Sequence, residues 1–223
     1  PLSIKVSTAT VTLSDTSLAF VSLADTTSLT STVKDEAGDT IPDATVTWIS
    51  SDTTIATVSS AGLVTAIANG TATITGTSTW TTGVASKTAS VTVSQVVSSV
   101  TLSPTSLSFA SFADTATLTP TVKDVNDNTI VSPAVTWSSS DTDIATVSSA
   151  GSVTSTGNGT ATITATSGSA SATASVTVGQ VAATVTLSAT TLSFASLADT
   201  TQLTATVTDA SGETMASATV TWT

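Results

Sequence analysis

Short runs in which every second residue is apolar recur along this chain. In TATLTPTVKD (Thr115 to Asp124), Leu118, Pro120 and Val122 fall on one side of an extended backbone, and Thr117, Thr119 and Thr121 fall on the other. GTATITATS sets Ala161, Ile163 and Ala165 opposite Thr160, Thr162 and Thr164, and ATASVTV lines Ala172, Ala174, Val176 and Val178 along one face. A repeat of two is the mark of strands with one buried side. The runs are separated by DVNDNT, SSAGS and TGNGT, rich in residues that favour turns. No segment has a helical period. About seven strands, spaced roughly 8 to 12 residues apart, predict an all-β fold built as a two-sheet antiparallel sandwich.

The pattern is written more than once. VTWISSDTTIATVSSAG (Val46 to Gly62) returns as VTWSSSDTDIATVSSAG (Val135 to Gly151), and VTWT (Val220 to Thr223) starts it again. Trp48, Trp137 and Trp222 are 89 and 85 residues apart, as are the VTL strings at Val11, Val100 and Val185. The four-residue difference lies in a longer loop of the first copy, which holds Trp80. A solenoid coil repeats every 20 to 50 residues or so; the period here is the size of a small domain. The chain therefore reads as tandem beads. Residues 7–94 and 95–179 are two domains, and 180–223 is the first half of a third. SIKV (Ser3 to Val6) is like SVTV (Ser90 to Val93), so residues 1–6 are expected to close an earlier bead. The half bead is expected to continue past Thr223, with completion by another chain as the rival idea.

The recurrent Trp shares a face with a Val two residues before it. A buried Trp on a mid-domain strand is a feature of immunoglobulin-like sandwiches. Trp48, Trp137 and Trp222 are thus expected in the cores, beside Phe20, Phe109 and Phe194.

The run VTWSSSDTDIATVSSAGSVTSTGNGTATITATS resembles the bacterial immunoglobulin-like group 2 (BIG2) domain, with its Trp-Ser-Ser strand, I-A-T-V strand, Gly turn and G-T-A-T-I-T-A strand. The first copy carries the pattern nearly in full, with Ile49 replacing the Ser after Trp48. The resemblance covers two copies end to end and the third as far as it goes. It implies tandem immunoglobulin-like sandwiches of the kind carried by bacterial adhesins, S-layer-type or cell-wall proteins, or phage virions. Such domains recur on many proteins, so the resemblance speaks to fold more than to function.

Composition narrows the chemistry. The chain has 223 residues, 39% hydrophobic and 9% charged, enough apolar material for packed cores and too little charge for a disordered chain. Fifteen acids and four lysines (Lys5, Lys34, Lys87, Lys123) give a net charge of −11, with no footprint for nucleic acid. No stretch approaches the roughly 20 apolar residues of a membrane span. Cys, His, Tyr and Arg are all absent, so general acid–base or nucleophilic chemistry would lack its usual groups. The reading is of a non-enzyme that needs no cofactor. The chain begins at Pro1, as a processed product or a piece of something longer.

Few residues stand out as sites. DVNDNT clusters Asp124, Asn126, Asp127 and Asn128, oxygen donors that could hold Ca²⁺. The simpler reading is a hairpin turn, since the matching loops DEAGDT (35–40) and DASGET (209–214) have the same character. Lys34 and Lys123 share a position that could serve an intramolecular cross-link, but Thr208 takes it in the third copy, so exposed strand lysines are expected. Trp80 is a candidate interface or sugar-stacking residue. Asn69-Gly70-Thr71 and Asn158-Gly159-Thr160 fit the N-glycosylation pattern, but turn geometry accounts for them. The linkers SQVVSS and GQVAAT run straight into the next strand and are expected to be stiff. The reading is of an extracellular structural protein at a bacterial surface, forming a stalk, fibre, filament or layer. Its partners would be neighbouring copies of itself, with a glycan or surface protein possible. The alternatives are an adhesin that binds through its loops and a phage virion protein.

Overall fold

The computed structural model describes residues 8–42, 44–80 and 83–223, with the side chain of Trp80 outside the description. The expected closing strand at residues 1–6 also lies outside it. Every described element is a strand. In the first copy these are β1 (Thr10–Leu13), β2 (Ser17–Phe20), β3 (Thr26–Ser28), β4 (Ser31–Lys34), β5 (Val46–Ser50), β6 (Ala56–Val58), β7 (Leu63–Ala66), β8 (Gly70–Trp80) and β9 (Gly83–Val93). In the second they are β10 (Ser99–Ser103), β11 (Ser106–Phe109), β12 (Thr115–Thr117), β13 (Thr119–Lys123), β14 (Thr136–Ser139), β15 (Ala145–Val147), β16 (Ser152–Ser155), β17 (Gly159–Ser167) and β18 (Ala170–Val178). Only β19 (Thr184–Leu187) and β20 (Ala205–Thr208) form in the third.

Both full copies have one topology. A four-stranded sheet runs β2-β9-β8-β5 and recurs as β11-β18-β17-β14; a three-stranded sheet runs β3-β7-β6 and recurs as β12-β16-β15. A strand pair, β1-β4, recurs as β10-β13 and again as β19-β20. This is an immunoglobulin-like sandwich with two differences from the pattern read from sequence. There are nine strands per copy, because expected single strands break. TATLTPTVKD divides at Leu118, whose N–H leaves the ladder to bond the Gly151 carbonyl at 2.9 Å. One edge pair is also parallel, Ser17–Phe20 along Ser90–Val93 and Ser106–Phe109 along Ser175–Val178. The opening strand is shared out: β1 pairs with β4, and the chain then bends so that β2 joins a different sheet beside β9.

The core follows from the alternation. In the first copy Leu18, Phe20, Ala72, Ile74, Ala89, Val91 and Val93 from the larger sheet meet Ala56, Val64 and Ala66 from the smaller one and Leu29 just after β3. Phe20 and Phe109 are buried. Trp48 and Trp137 are half-buried and border the core rather than centre it. Each indole lies over a glycine turn. A Cβ on Gly151 would sit 2.8 Å from Trp137 Cζ2 and 2.6 Å from the Leu118 carbonyl oxygen, and Gly62 stands the same way to Trp48 and Leu29. With φ at +84° for Gly62 and +79° for Gly151, both positions also need glycine for backbone reasons. The central places go to Ile74 and Ile163 instead, both fully buried.

Residues 180–223 depart from the expected core. Phe194 and Trp222 are each 53% exposed and Leu197 is 100% exposed. The strands that cover their counterparts in the first two copies, β6 to β9 and β15 to β18, have no equivalents within 180–223.

Contacts group the chain into two compact units: Pro1–Ser99 with Lys123–Val131, and Val100–Val122 with Ser132–Thr223. The loop after β13 therefore belongs with the first unit, and the loop after β20 with the second.

Ile74→Ala and Ile163→Ala should each cost about 2–5 kcal/mol, the cost of emptying a packed aliphatic site. Thr162→Ala, on the exposed face beside Ile163, should cost a fraction of that. Urea unfolding of each variant measures the difference. Equal costs at Ile163 and Thr162 would contradict the assignment of the buried face.

Candidate functional site: a buried carboxylate clasp

The three loops DEAGDT, DVNDNT and DASGET fold alike. In each, the first Asp accepts through Oδ1 from the backbone amides two and four residues on: Ala37 and Asp39 at 2.9 Å for Asp35, Asn126 and Asn128 at 3.0 and 2.9 Å for Asp124, Ser211 and Glu213 at 3.0 and 2.9 Å for Asp209. The residue three on has positive φ, at Gly38, Asp127 and Gly212. A Thr five on from each Asp bridges back to the strand, as Lys34–Thr40, Lys123–Thr129 and Thr208–Thr214. Such side-chain to backbone bonds are why Asp opens turns.

In two of the loops Oδ2 does something further. Within the first unit, Asp124 Oδ2 accepts from the Leu23 amide at 3.0 Å and from Gln95 Nε2 at 2.8 Å. Gln95 is itself held at both ends by Asn69: Oδ1 of Asn69 accepts from the Gln95 amide at 2.8 Å, and Nδ2 donates to Gln95 Oε1 at 3.0 Å. Asn126 Nδ2 donates to the Leu23 carbonyl at 2.9 Å and to Asp25 Oδ1 at 2.8 Å, and Asn128 Nδ2 reaches the same carbonyl at 3.0 Å. The second unit repeats the arrangement. Asp209 Oδ2 accepts from the Phe112 amide at 3.0 Å and Gln180 Nε2 at 2.9 Å; Asn158 holds Gln180 at 2.8 and 3.2 Å; Ser211 Oγ donates to Asp114 Oδ1 at 3.2 Å.

Asp124 and Asp209 are each 2% exposed. The nearest lysine, Lys123, points its ammonium at the exposed Asp127, 3.9 Å away, and not at Asp124. The buried charge is thus compensated by hydrogen-bond donors and not by a cation. Charge-assisted bonds of this kind are stronger than neutral ones, and a buried carboxylate stays ionised only if it has them. Burial pushes both carboxyls up, but the donors outweigh it: the Gln95 amide and the Leu23 and Asn128 N–H groups for Asp124, the Gln180 amide and the Phe112, Glu213 and Ser211 N–H groups for Asp209. Both groups are held below the ordinary carboxylate range.

The proposed calcium ligands are therefore used otherwise. Asp124 is lined by N–H donors, Asn126 and Asn128 turn their NH₂ groups inward, and Asp127 faces solvent. That is the chemistry of a clasped anion rather than of an oxygen cage round a cation. No group of three or more His, Cys, Asp or Glu placed to hold a metal ion occurs among the described residues. Asn69 and Asn158, read as turn residues, are the first links of the clasp. Gln95 and Gln180 escaped notice, although they are two of only three glutamines in the chain. Each precedes its Asp by the same 29 residues.

The family model of the bacterial Ig-like domain (group 2) matches residues 7–89 and 96–178. The chain belongs to this family. Over 111 residues, 47% of this chain, it is 35% identical to ice-binding protein 1 of Shewanella frigidimarina (strain NCIMB 400), of which it spans 11%. Among solved structures, it is similar to domains 1–6 of the surface layer protein SbsC, at 24% identity and a TM-score of 0.38, over 93% of this chain and 31% of that one. It is also similar to SbsC domains 4 and 5, at 22% identity and a TM-score of 0.39, over 77% of this chain and 98% of that one. Human protocadherin-24 EC1-2 follows at 14% identity and a TM-score of 0.34, over 77% of this chain and 97% of that one.

Depressed carboxyl groups fix a pH dependence. Asp124 titrates below its ordinary 3.8 in the folded chain, so its contribution to stability is whole above about pH 4 and is lost as pH falls toward the folded value. Melting temperature should be nearly flat between neutral pH and about pH 5 and should fall below about pH 4, where the unfolded chain takes up protons first. Asp124→Asn should melt several degrees lower at neutral pH, with the gap to the parent narrowing in acid. A constant gap from neutral to strongly acid pH would contradict the clasp's charge.

Proposed function

We propose that this chain is a non-enzymatic structural segment of a bacterial surface or extracellular protein, in which immunoglobulin-like repeats are joined into a stalk, fibre, filament or surface layer. The observation that carries the reading is the clasp, built twice with the same Asn, Gln and Asp in the same roles. In each unit it ties the loop of a later repeat to the linker that leads into it and to the turn after the second strand of the repeat before it. A lone binding domain has no use for such a joint, whereas a load-bearing array needs one at every step. Membership of a bacterial immunoglobulin-like family and a chain without His, Cys, Tyr or Arg are in keeping with this.

The solvent faces support it as well. On the larger sheet of the second copy, Thr160, Thr162 and Thr164 lie beside Thr177, Ser175 and Thr173. The face is hydroxyl-bearing and uncharged, serving strand propensity and solubility together. The stretch shared with the ice-binding relative, 11% of that protein, is the share a spacer module would contribute to a larger chain.

Antibody to this chain should label intact cells of its source, and external protease should remove the label. Deleting residues 95–179 should leave the protein displayed and shorten its reach by one repeat. Labelling only after lysis would sink the surface reading. Loss of adhesion to a host glycan or protein, with reach unchanged, would favour a binding module.

A further inference from the structure

The clasps meet a chemical hazard written in the sequence. The two asparagines that begin them, Asn69 and Asn158, are each followed by glycine. In an Asn-Gly pair the glycine nitrogen carries no neighbouring side chain to shield it. It can attack the Asn carboxamide carbon, forming a C–N bond in a five-membered imide and expelling the amide nitrogen as ammonia. Water then opens the imide to aspartate or isoaspartate. The net change is hydrolysis of a carboxamide, and no oxidant, reductant or enzyme takes part. Both asparagines are exposed, so water is at hand.

Each carboxamide is pinned, however. Asn69 is tied through Oδ1 to the Gln95 amide at 2.8 Å and through Nδ2 to Gln95 Oε1 at 3.0 Å, and Asn158 is tied to Gln180 at 2.8 and 3.2 Å. The side chain must leave both bonds before its carbon can swing onto the glycine nitrogen. We infer that Asn69-Gly70 and Asn158-Gly159 are deamidation sites held shut by Gln95 and Gln180, so that each clasp shields its own weakest residue.

Opening is then self-sealing. An aspartate at 69 has lost the Nδ2 donor, so Gln95 Oε1 loses its partner and meets a negative charge. Gln95 is no longer aimed at Asp124, and the clasp cannot close as before. Repeats would age one joint at a time, irreversibly. This holds wherever the chain is displayed and does not rest on the surface reading.

The test is site-resolved peptide mass spectrometry on the full chain during incubation in mildly alkaline buffer. The parent should deamidate slowly at both sites. Gln95→Ala removes the Nδ2–Oε1 bond and keeps the backbone one, so the rate at Asn69 should rise about threefold or more, the order expected from losing one ordinary hydrogen bond, while Asn158 stays at the parent rate. Gln180→Ala should do the reverse. An unchanged rate at Asn69 in Gln95→Ala overturns the inference, and so does an equal rise at both sites. The unmodified chain in urea gives an independent check, because both sites should accelerate there; equal rates in native buffer and in urea also overturn it. Purified Asn69→Asp should melt below the parent.

Discussion

Two buried anions without a counter-cation organise this molecule. Asp124 and Asp209 lie where water cannot solvate them, and the chain spends several backbone amides and one glutamine on each. A carboxylate in that setting tolerates little misplacement, because an unmatched buried charge costs far more than a lost surface contact. Directional bonds therefore fix what hydrophobic packing leaves loose. The cores alone are small-residue cores, rich in Ala and Val.

The same economy explains the threonines. A chain with 9% charged residues must stay soluble through hydroxyl groups. Thr fills the outward positions of strands whose inward positions are Ala, Val and Ile, so one residue type satisfies both backbone preference and hydration. The few charges are left for special work. Asp52 caps the turn before β6 through the Thr54 hydroxyl and amide, which hold its carboxyl below the ordinary range. Asp124 and Asp209 make the clasps. Charge is scarce here, and several of the acids hold a turn or a joint.

Much of this was legible in the sequence. Period-two alternation located the strands, and the returning Val-Thr-Trp string located the repeat. The splitting of TATLTPTVKD at Leu118 was not legible, because it depends on a carbonyl at Gly151 that comes from the turn between β15 and β16. Nor was the position of the tryptophans, which border the core because the Gly62 and Gly151 turns offer a flat backbone surface for an indole. The Asp loops read correctly as turns, since Oδ1 bonding is local. Their Oδ2 partners lie 29 and about 100 residues away, and single-residue propensities carry no trace of such distances.

The lengths within the repeat show what the clasp demands. From Asn69 to Gln95 is 26 residues, and from Asn158 to Gln180 is 22. From Gln to Asp is 29 in both. The four extra residues of the first copy sit at the tip of the β8–β9 hairpin, where Trp80 pairs with Gly83. Gly70 pairs with Val93 at its base in the same register as Gly159 with Val178. A hairpin tip can lengthen without moving its base, and loop closure charges little for it. The segment from Gln to Asp has no such slack. It must leave the parallel edge beside β2, bond Ser98 or Ala183 to the next strand pair, and return a carboxylate to the same amide. A single added residue there would flip the alternation of the following strand and pull the anion off its donors. The repeat is free to vary where it meets solvent and is held to one length where it meets its neighbour, which is the pattern expected of a part whose work is to be joined.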